Sequence, residues 1–277
     1  MKPLFSIVIA NYNYGRFLED ALQSILSQGL GDEVEIIVCD AASTDNSVEV
    51  IRKYADKIAW WCSEQDGGQS AAFNKGFAHA TGRFLTWLNA DDVFFPGALK
   101  AVAKEIEKHP DCEWFVGSTS WVDEHLRIKR VFRAHKFSVL RGYFAGANAC
   151  GPSSFFTKRL LQKVGGIDET LHYAMDNDLW HRFFRNEHAQ YCRTTANVWA
   201  YRIHAESKLS GADVSAEKIA RENREKALAE GRLLRQRYPQ CDTWFRPWAV
   251  RLSTSLLDWA IAAWLTFRLK GRLVSEC

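Results

Sequence analysis

The chain opens with short, near-continuously apolar runs, Phe5 to Ala10, Val34 to Cys39, Ile58 to Trp61 and Phe84 to Leu88. Runs of that length, rich in β-branched and aromatic residues, predict strands buried on both faces. Between the first two, Phe17, Leu18, Ala21, Leu22, Ile25 and Leu26 recur on one helical face. Ser43, Thr44 and Asp45 offer caps to a second helix through Val48, Ile51 and Tyr54, and Ser70 precedes a third through Ala72, Phe73 and Phe77. Alternating strand and helix with connections this short predict a parallel sheet covered by helices on both faces.

From about Glu113 the pattern changes. Glu113 to Gly117, Ser120 to Asp123, Arg127 to Phe132 and Pro152 to Thr157 predict shorter strands, a mixed and partly antiparallel extension of the same sheet. A helix carrying Leu179, Trp180, Phe183 and Phe184 is expected from near Asp178. Without a Pro-, Ser- or Gly-rich linker to divide them, residues 1–210 are expected to form one domain. Residues 211–277 read as a helical, basic, Trp-rich extension, with a charged helix over 217–237 stopped by Pro239.

Length and charge narrow the classes. With 277 residues, 47% of them hydrophobic, the chain can bury a proper core. Its 36 basic and 33 acidic residues leave a net charge of +3, all of the excess lying in the C-terminal quarter, so no general basic field exists to attract nucleic acid. The seven cysteines come no closer than the 23 residues between Cys39 and Cys62, which excludes a CxxC metal or redox pair and predicts reduced thiols. The apolar stretch at the N-terminus is too short for a signal-peptide core, so a cytoplasmic location is expected.

The terminal stretch 244–277 adds a further partner. Trp244, Trp248, Trp259 and Trp264 stand among Leu and Ile, bordered by Arg246, Arg251, Arg268, Lys270 and Arg272. The segment between Arg251 and Arg268 falls short of the roughly 20 residues that span a bilayer. A narrow polar stripe, Arg251, Ser255, Asp258, Thr266 and Lys270, leaves a broad apolar face. Such a helix suits peripheral contact with the inner face of a membrane; packing on the core or on a second subunit suits it equally. The oligomeric state is not legible.

In an open parallel sheet, ligands bind beyond the carboxyl ends of the strands. Strand one runs into Asn11-Tyr12-Asn13, strand two into Asp40 with Ser43 and Asp45, strand three into Glu64 and Asp66, and strand four into Asn89-Ala90-Asp91-Asp92. One polar strand end is ordinary turn chemistry; four in succession define a rim. A crevice rich in carboxylates and amides suits a sugar or a metal ion. Neither GxGxxG nor GxxxxGK[ST] follows any strand, so no dinucleotide fingerprint or P-loop is spelled out.

These elements, in order, resemble a family 2 glycosyltransferase of the GT-A fold, from Phe5 to about Ser207. They are Ser6 to Asn13, Glu35 to Asp45, Asp66 to Gly76, Trp87 to Asp92 with Pro96 to Leu99, Gly165 to Glu169, and Met175 to Trp180. The resemblance implies a nucleotide-binding α/β sheet, mostly parallel and mixed at one edge. It implies an enzyme that transfers a sugar, with inversion, from a nucleoside-diphosphate sugar to a saccharide or lipid-linked acceptor, in surface polysaccharide or glycolipid assembly.

By the same resemblance, Asn11, Asp40 and Asp45 surround the base and ribose, Asn74 lies near the sugar and phosphates, and Asn89 and Asp91 occupy the Asp-x-Asp position. Asp91, with Asp92 and His204, would then hold a divalent ion, Mn2+ or Mg2+, and Asp176 would be the catalytic base. Three departures stand out: Ala41-Ala42 where glycine is more usual, Asn89 for the first acid, and Met175 for a glutamate. Several alternatives stay open. Asp91 and Asp92 also suit a helix N-terminus, Asp178 competes with Asp176, and His204 suits a structural role. A nucleotidyltransferase or a non-catalytic sugar-nucleotide-binding scaffold would share much of the rim.

Overall fold

The four apolar runs lie side by side in the computed structural model, which describes residues 2–136, 151–207, 214–238 and 256–277. Strands β1 (Phe5–Asn11), β2 (Val34–Asp40), β3 (Trp60–Ser63) and β4 (Phe84–Asn89) are parallel, in the order β3, β2, β1, β4. Their side chains alternate between two cores. Phe5, Ile7 and Ile9 meet Leu18, Leu22 and Ile25 of helix α1 (Gly15–Leu26), while Val8, Ile37 and Leu85 meet Phe73 and Phe77 of α3 (Gln69–His79). Helix α2 (Ser47–Lys53) joins the first layer through Val50 and Ile51. A side chain at Gly76 would bring its Cβ within 2.3 Å of Val8, so α3 approaches β1 closely enough to require glycine there.

Beyond β4 the sheet becomes mixed. A two-residue strand β5 (Val93–Phe94) precedes helix α4 (Ala98–Lys108), followed by β6 (Trp114–Asp123), β7 (Ile128–Phe132), β8 (Ser154–Thr157) and β9 (Cys192–Ile203). Strand β8 runs antiparallel between β4 and β6; β9 runs parallel to β6 on its other side, with β5 antiparallel at the edge. The expected break between Glu113–Gly117 and Ser120–Asp123 is absent, because polar Ser118, Thr119 and Ser120 are buried in one continuous strand. Gly117 lies so close to Val198 that an added Cβ would stand 2.2 Å from it, which lets β9 press against β6. Strand β9 has no counterpart in the sequence reading.

Helix α5 (Lys158–Lys163) follows β8, and helix α6 (Met175–Glu187) begins three residues earlier than expected. Its Trp180 stacks on Trp87 of β4 at 5.7 Å and on Trp114 of β6 at 5.2 Å, and Phe183 packs on Phe156. That aromatic block ties the start of α6 to the strand ends.

Helices α7 (Val214–Arg237) and α8 (Leu256–Leu269) bracket residues 239–255, which with Trp244 and Trp248 lie outside the described residues. The expectation for Thr266 is corrected. It faces the protein, where its hydroxyl accepts from the Val131 amide of β7 at 3.0 Å and donates to Ala262 at 2.8 Å, while Leu265 and Leu269 pack on the core.

Candidate active site

The first wall of the site comes from the ends of β1 and β2. Asp40 is buried, and both its oxygens are used inside the protein: Asn11 Nδ2 donates to Oδ1 at 2.6 Å, while the Ser43 amide and the Ser63 hydroxyl donate to Oδ2 at 3.0 and 2.6 Å. Asp45 accepts from the amides of Gly15 and Ser47, both at 2.9 Å, and so joins the starts of α1 and α2. Burial raises the Asp45 pKa, but the hydrogen bonds from Ser47 and Gly15 outweigh it and hold the carboxyl below its ordinary range. Of the two acids expected at the base and ribose, Asp40 is buried behind the wall and Asp45, exposed, joins the two helix starts; neither is among the residues lining the cleft. The surface facing the cleft is formed by Asn11, Tyr12, Ala41, Ala42 and Thr44.

Ala42 adopts φ +56°, a left-handed conformation that glycine takes without strain. The departure from the family pattern at this turn therefore falls where the backbone favours glycine.

The second wall comes from the end of β4. Asn89 accepts from Gln69 Nε2 at 2.7 Å and donates to Asp92 Oδ2 at 2.8 Å. The other oxygen of Asp92 accepts from the Arg202 amide of β9 at 2.8 Å. Asp92 is completely buried, and burial, with Asp91 next to it, pushes its pKa well up. Expected beside Asp91 as a ligand, it instead turns inward and fastens β4 to β9. Neither acid caps a helix, since β5 intervenes before α4.

Asp91 turns outward to line the cleft. His204, from 113 residues further along the chain, places Nε2 3.1 Å from Asp91 Oδ2. Tyr14 and Phe17 enclose the imidazole, with ring centroids 5.5 and 4.7 Å away. Arg202 anchors this segment: its guanidinium is buried, pairs with Asp20 at 2.8 Å and lies 4.6 Å from the Phe17 ring centroid. Among the described residues, no three or more His, Cys, Asp or Glu side chains converge as a ready-made metal site. Asp91 and His204 form a pair.

The third wall is the first turn of α6. Asp176 lines the same cleft as Asp91 and Asn89, and burial raises its pKa from 3.8 to about 6, against hydrogen bonds from the amides of Asn177, Asp176 and Gly151. Asp178 is fully buried and held by Arg182 at 2.7 Å, Arg237 at 2.8 Å and the Tyr238 hydroxyl at 3.0 Å. Of the two competing acids, Asp176 is the one at the cleft.

Asn74 is not on these walls. Its side chain donates to the Ile167 carbonyl at 2.8 Å and accepts from the Ile167 amide at 2.9 Å, pinning the turn through Gly165 and Gly166. The cleft encloses about 990 Å³. Sequence reading missed Tyr201 and Trp199, which sit on the unrecognised strand β9, and Lys226, which α7 brings to the cleft from the C-terminal part of the chain. The alternation of Val198, Ala200 and Arg202 inward with Trp199 and Tyr201 outward is the signal for β9, obscured because Arg202 is charged and yet buried.

The model of glycosyl transferase family 2 matches residues 6–165. An uncharacterised glycosyltransferase of Methanocaldococcus jannaschii is 30% identical over 193 residues, covering 68% of this chain and 67% of the relative. One of Rickettsia prowazekii is 31% identical over 196 residues, covering 66% of this chain and 59% of the relative. Among solved structures, S. aureus TarS 1-349 in complex with UDP-GlcNAc aligns with a TM-score of 0.60 at 17% identity, covering 98% of this chain and 82% of that one. Mannosyltransferase PcManGT from Pyrobaculum calidifontis, in complex with GDP-Man and Mn2+, gives 0.56 at 19% identity, covering 95% and 79%. At those identities the likeness to the solved structures is one of fold, the mixed, mostly parallel GT-A sheet flanked by helices.

Proposed function

The chain belongs to glycosyl transferase family 2, and from that premise we propose that it transfers a sugar, with inversion, from a nucleoside-diphosphate sugar to a hydroxyl of a saccharide or lipid-linked acceptor. Surface polysaccharide or glycolipid assembly is the process such a reaction serves. The observation that carries the reading is convergence: Asn11 from the end of β1 and Asn89 and Asp91 from the end of β4, with His204 beside Asp91, share one cleft with Asp176 from α6.

The roles follow from position. The wall of Asn11 and Thr44 receives the nucleoside, and Asn89 and Asp91 lie toward the diphosphate and sugar. The donor set at Asp91 fits a divalent ion. Asp91, with His204 Nε2 3.1 Å away, would hold such an ion together with the diphosphate, since Mg2+ is commonly bound by one or two carboxylates plus substrate phosphates. When bound, such an ion offsets the negative charge that grows on the departing diphosphate.

Asp176 takes the proton. The acceptor hydroxyl is un-ionised at neutral pH and must lose its proton as its oxygen bonds to the anomeric carbon. In the same displacement the bond from that carbon to the diphosphate oxygen breaks, and the electron pair leaves with the diphosphate. A carboxyl with a pKa near 6 is ionised above neutrality yet more basic than an exposed aspartate. Attack from the face opposite the leaving group inverts the centre.

Thermal unfolding in the presence of a panel of nucleotide sugars, with and without Mn2+, tests the reading. A ligand at about 100 times its Kd stabilises the fold by about 2.7 kcal/mol, so at least one donor should raise the melting temperature, and more so with the metal. If none does under either condition, the reading fails.

The proposal includes a peripheral contact with the inner, cytoplasmic face of a membrane. It is supported by α8, whose outer face leaves Trp264 53% and Phe267 87% exposed beside Arg268 and Lys270. Among the described residues, no helix is long and apolar enough to cross a membrane. Because α8 also packs on β7, point changes are a cleaner test than truncation. Trp264→Glu with Phe267→Glu should abolish co-sedimentation with vesicles containing phosphatidylserine; undiminished co-sedimentation would remove the membrane from the proposal.

A further inference from the structure

Helix α7 is seated directly against the segment that carries Asp176. The Glu230 carboxylate accepts three consecutive main-chain amides, from His172 at 2.9 Å, Tyr173 at 2.8 Å and Ala174 at 2.9 Å. Two turns earlier, Asn223 Oδ1 accepts the Tyr173 hydroxyl at 2.8 Å. At the far end, Arg237 reaches Asp168 at 2.7 Å and Asp178 at 2.8 Å. These contacts fix which face of α7 meets the catalytic domain. Residues 223, 226 and 230 share that face at helical spacing, so the grip that seats the helix also aims Lys226 at the cleft, which it lines.

The charge at that position is unusual for its surroundings. Among the described residues lining the cleft, Lys226 is the only Lys or Arg, and it stands against Asp66, Asp91 and Asp176. Its side chain is exposed and has no ion-pair partner among the described residues. A diphosphate entering this cleft meets repulsion from the carboxylates of Asp66, Asp91 and Asp176.

We propose that Lys226 binds the diphosphate of the donor, so that α7 supplies the cation that the acidic strand ends lack. The inference rests on the transferase reading and extends it to the C-terminal helix. A lysine ammonium on a flexible stem acts as a point charge toward phosphate and needs no fixed fork geometry, which suits a residue reaching in from an exposed helix.

Calorimetry on the full chain in Mn2+ tests it, using whichever of UDP, GDP, ADP and dTDP the unchanged protein binds most tightly. Lys226→Ala should weaken that diphosphate about tenfold, while Lys226→Arg should retain most of the affinity and the matching nucleoside should bind all of them alike. The exposed position predicts an unchanged melting temperature, which separates lost charge from lost fold. If Lys226→Ala binds the diphosphate as tightly as the unchanged chain while Asp91→Ala does not, the assignment of Lys226 is overturned and the transferase reading stands. An effect confined to the acceptor, with diphosphate affinity intact, also overturns it. If the unchanged chain binds none of the four, both readings fall.

Discussion

Asp176→Asn is expected to lower turnover by about 10²- to 10⁴-fold while leaving donor affinity close to unchanged, because the amide keeps the shape of the carboxyl and cannot accept the acceptor's proton. The pH profile sharpens the test. In the unchanged chain, turnover should climb as pH rises through about 6, where Asp176 ionises, and that limb should vanish in the variant. Stability should move the other way. Burial favours the protonated acid, so the contribution of Asp176 to folding is complete below its ordinary 3.8 and is lost as pH rises through about 6. At neutral pH the neutral amide should therefore stabilise the fold by up to about 3 kcal/mol, a rise of several degrees in melting temperature. Full transfer activity in Asp176→Asn would assign the base elsewhere.

Asp91→Ala should reduce metal-dependent affinity for a nucleoside diphosphate by about 100-fold or more, and transfer with it. His204→Ala should cost less, about tenfold, because the carboxylate remains. Titration with Mn2+ present and then chelated separates the two contributions: the difference between these conditions should be large in the unchanged chain and nearly absent in Asp91→Ala. Equal affinity in both proteins would take the metal away from this strand end. Asp92 serves as an internal comparison. Its loss should lower the melting temperature, since Asn89 and the Arg202 amide would both lose a partner, with one unsatisfied buried group costing about 1–3 kcal/mol.

Much of this architecture is legible in the chain alone. The four parallel strands announce themselves because strands covered on both faces are apolar throughout, and their ends lie where polar residues interrupt the runs. What a lone sequence does not disclose is which way a carboxylate turns. Asp40, Asp45, Asp91 and Asp92 all come at or after strand ends, yet Asp40 is taken by Asn11 and Ser63, Asp45 by Gly15 and Asp92 by the Arg202 amide, and of the four only Asp91 lines the cleft. That choice is made by partners distant in sequence, such as Arg202 for Asp92. Asn74 illustrates the same limit, being absorbed by the backbone of Ile167. Strand β9 escaped because its inward positions include a buried arginine neutralised by Asp20, against the rule that long charged side chains stay outside. The role of α7 escaped because the residues of its inward side, Asn223 and Glu230 against residues 172–174 and Lys226 at the cleft, read as the solvated side of a charged helix.

The meeting of Asp91 with His204 has a consequence for how the protein becomes active during its own synthesis. Four of the nine described strands are encoded before residue 90, and their local crossovers can close early, since each spans few residues. The imidazole arrives more than a hundred residues later, and the clasp of Glu230 later still. Both cores also draw on late segments, Phe155 and Val198 in one and Phe156 and Trp180 in the other, so the early strands reach full burial only with the same long closures that bring His204 to Asp91.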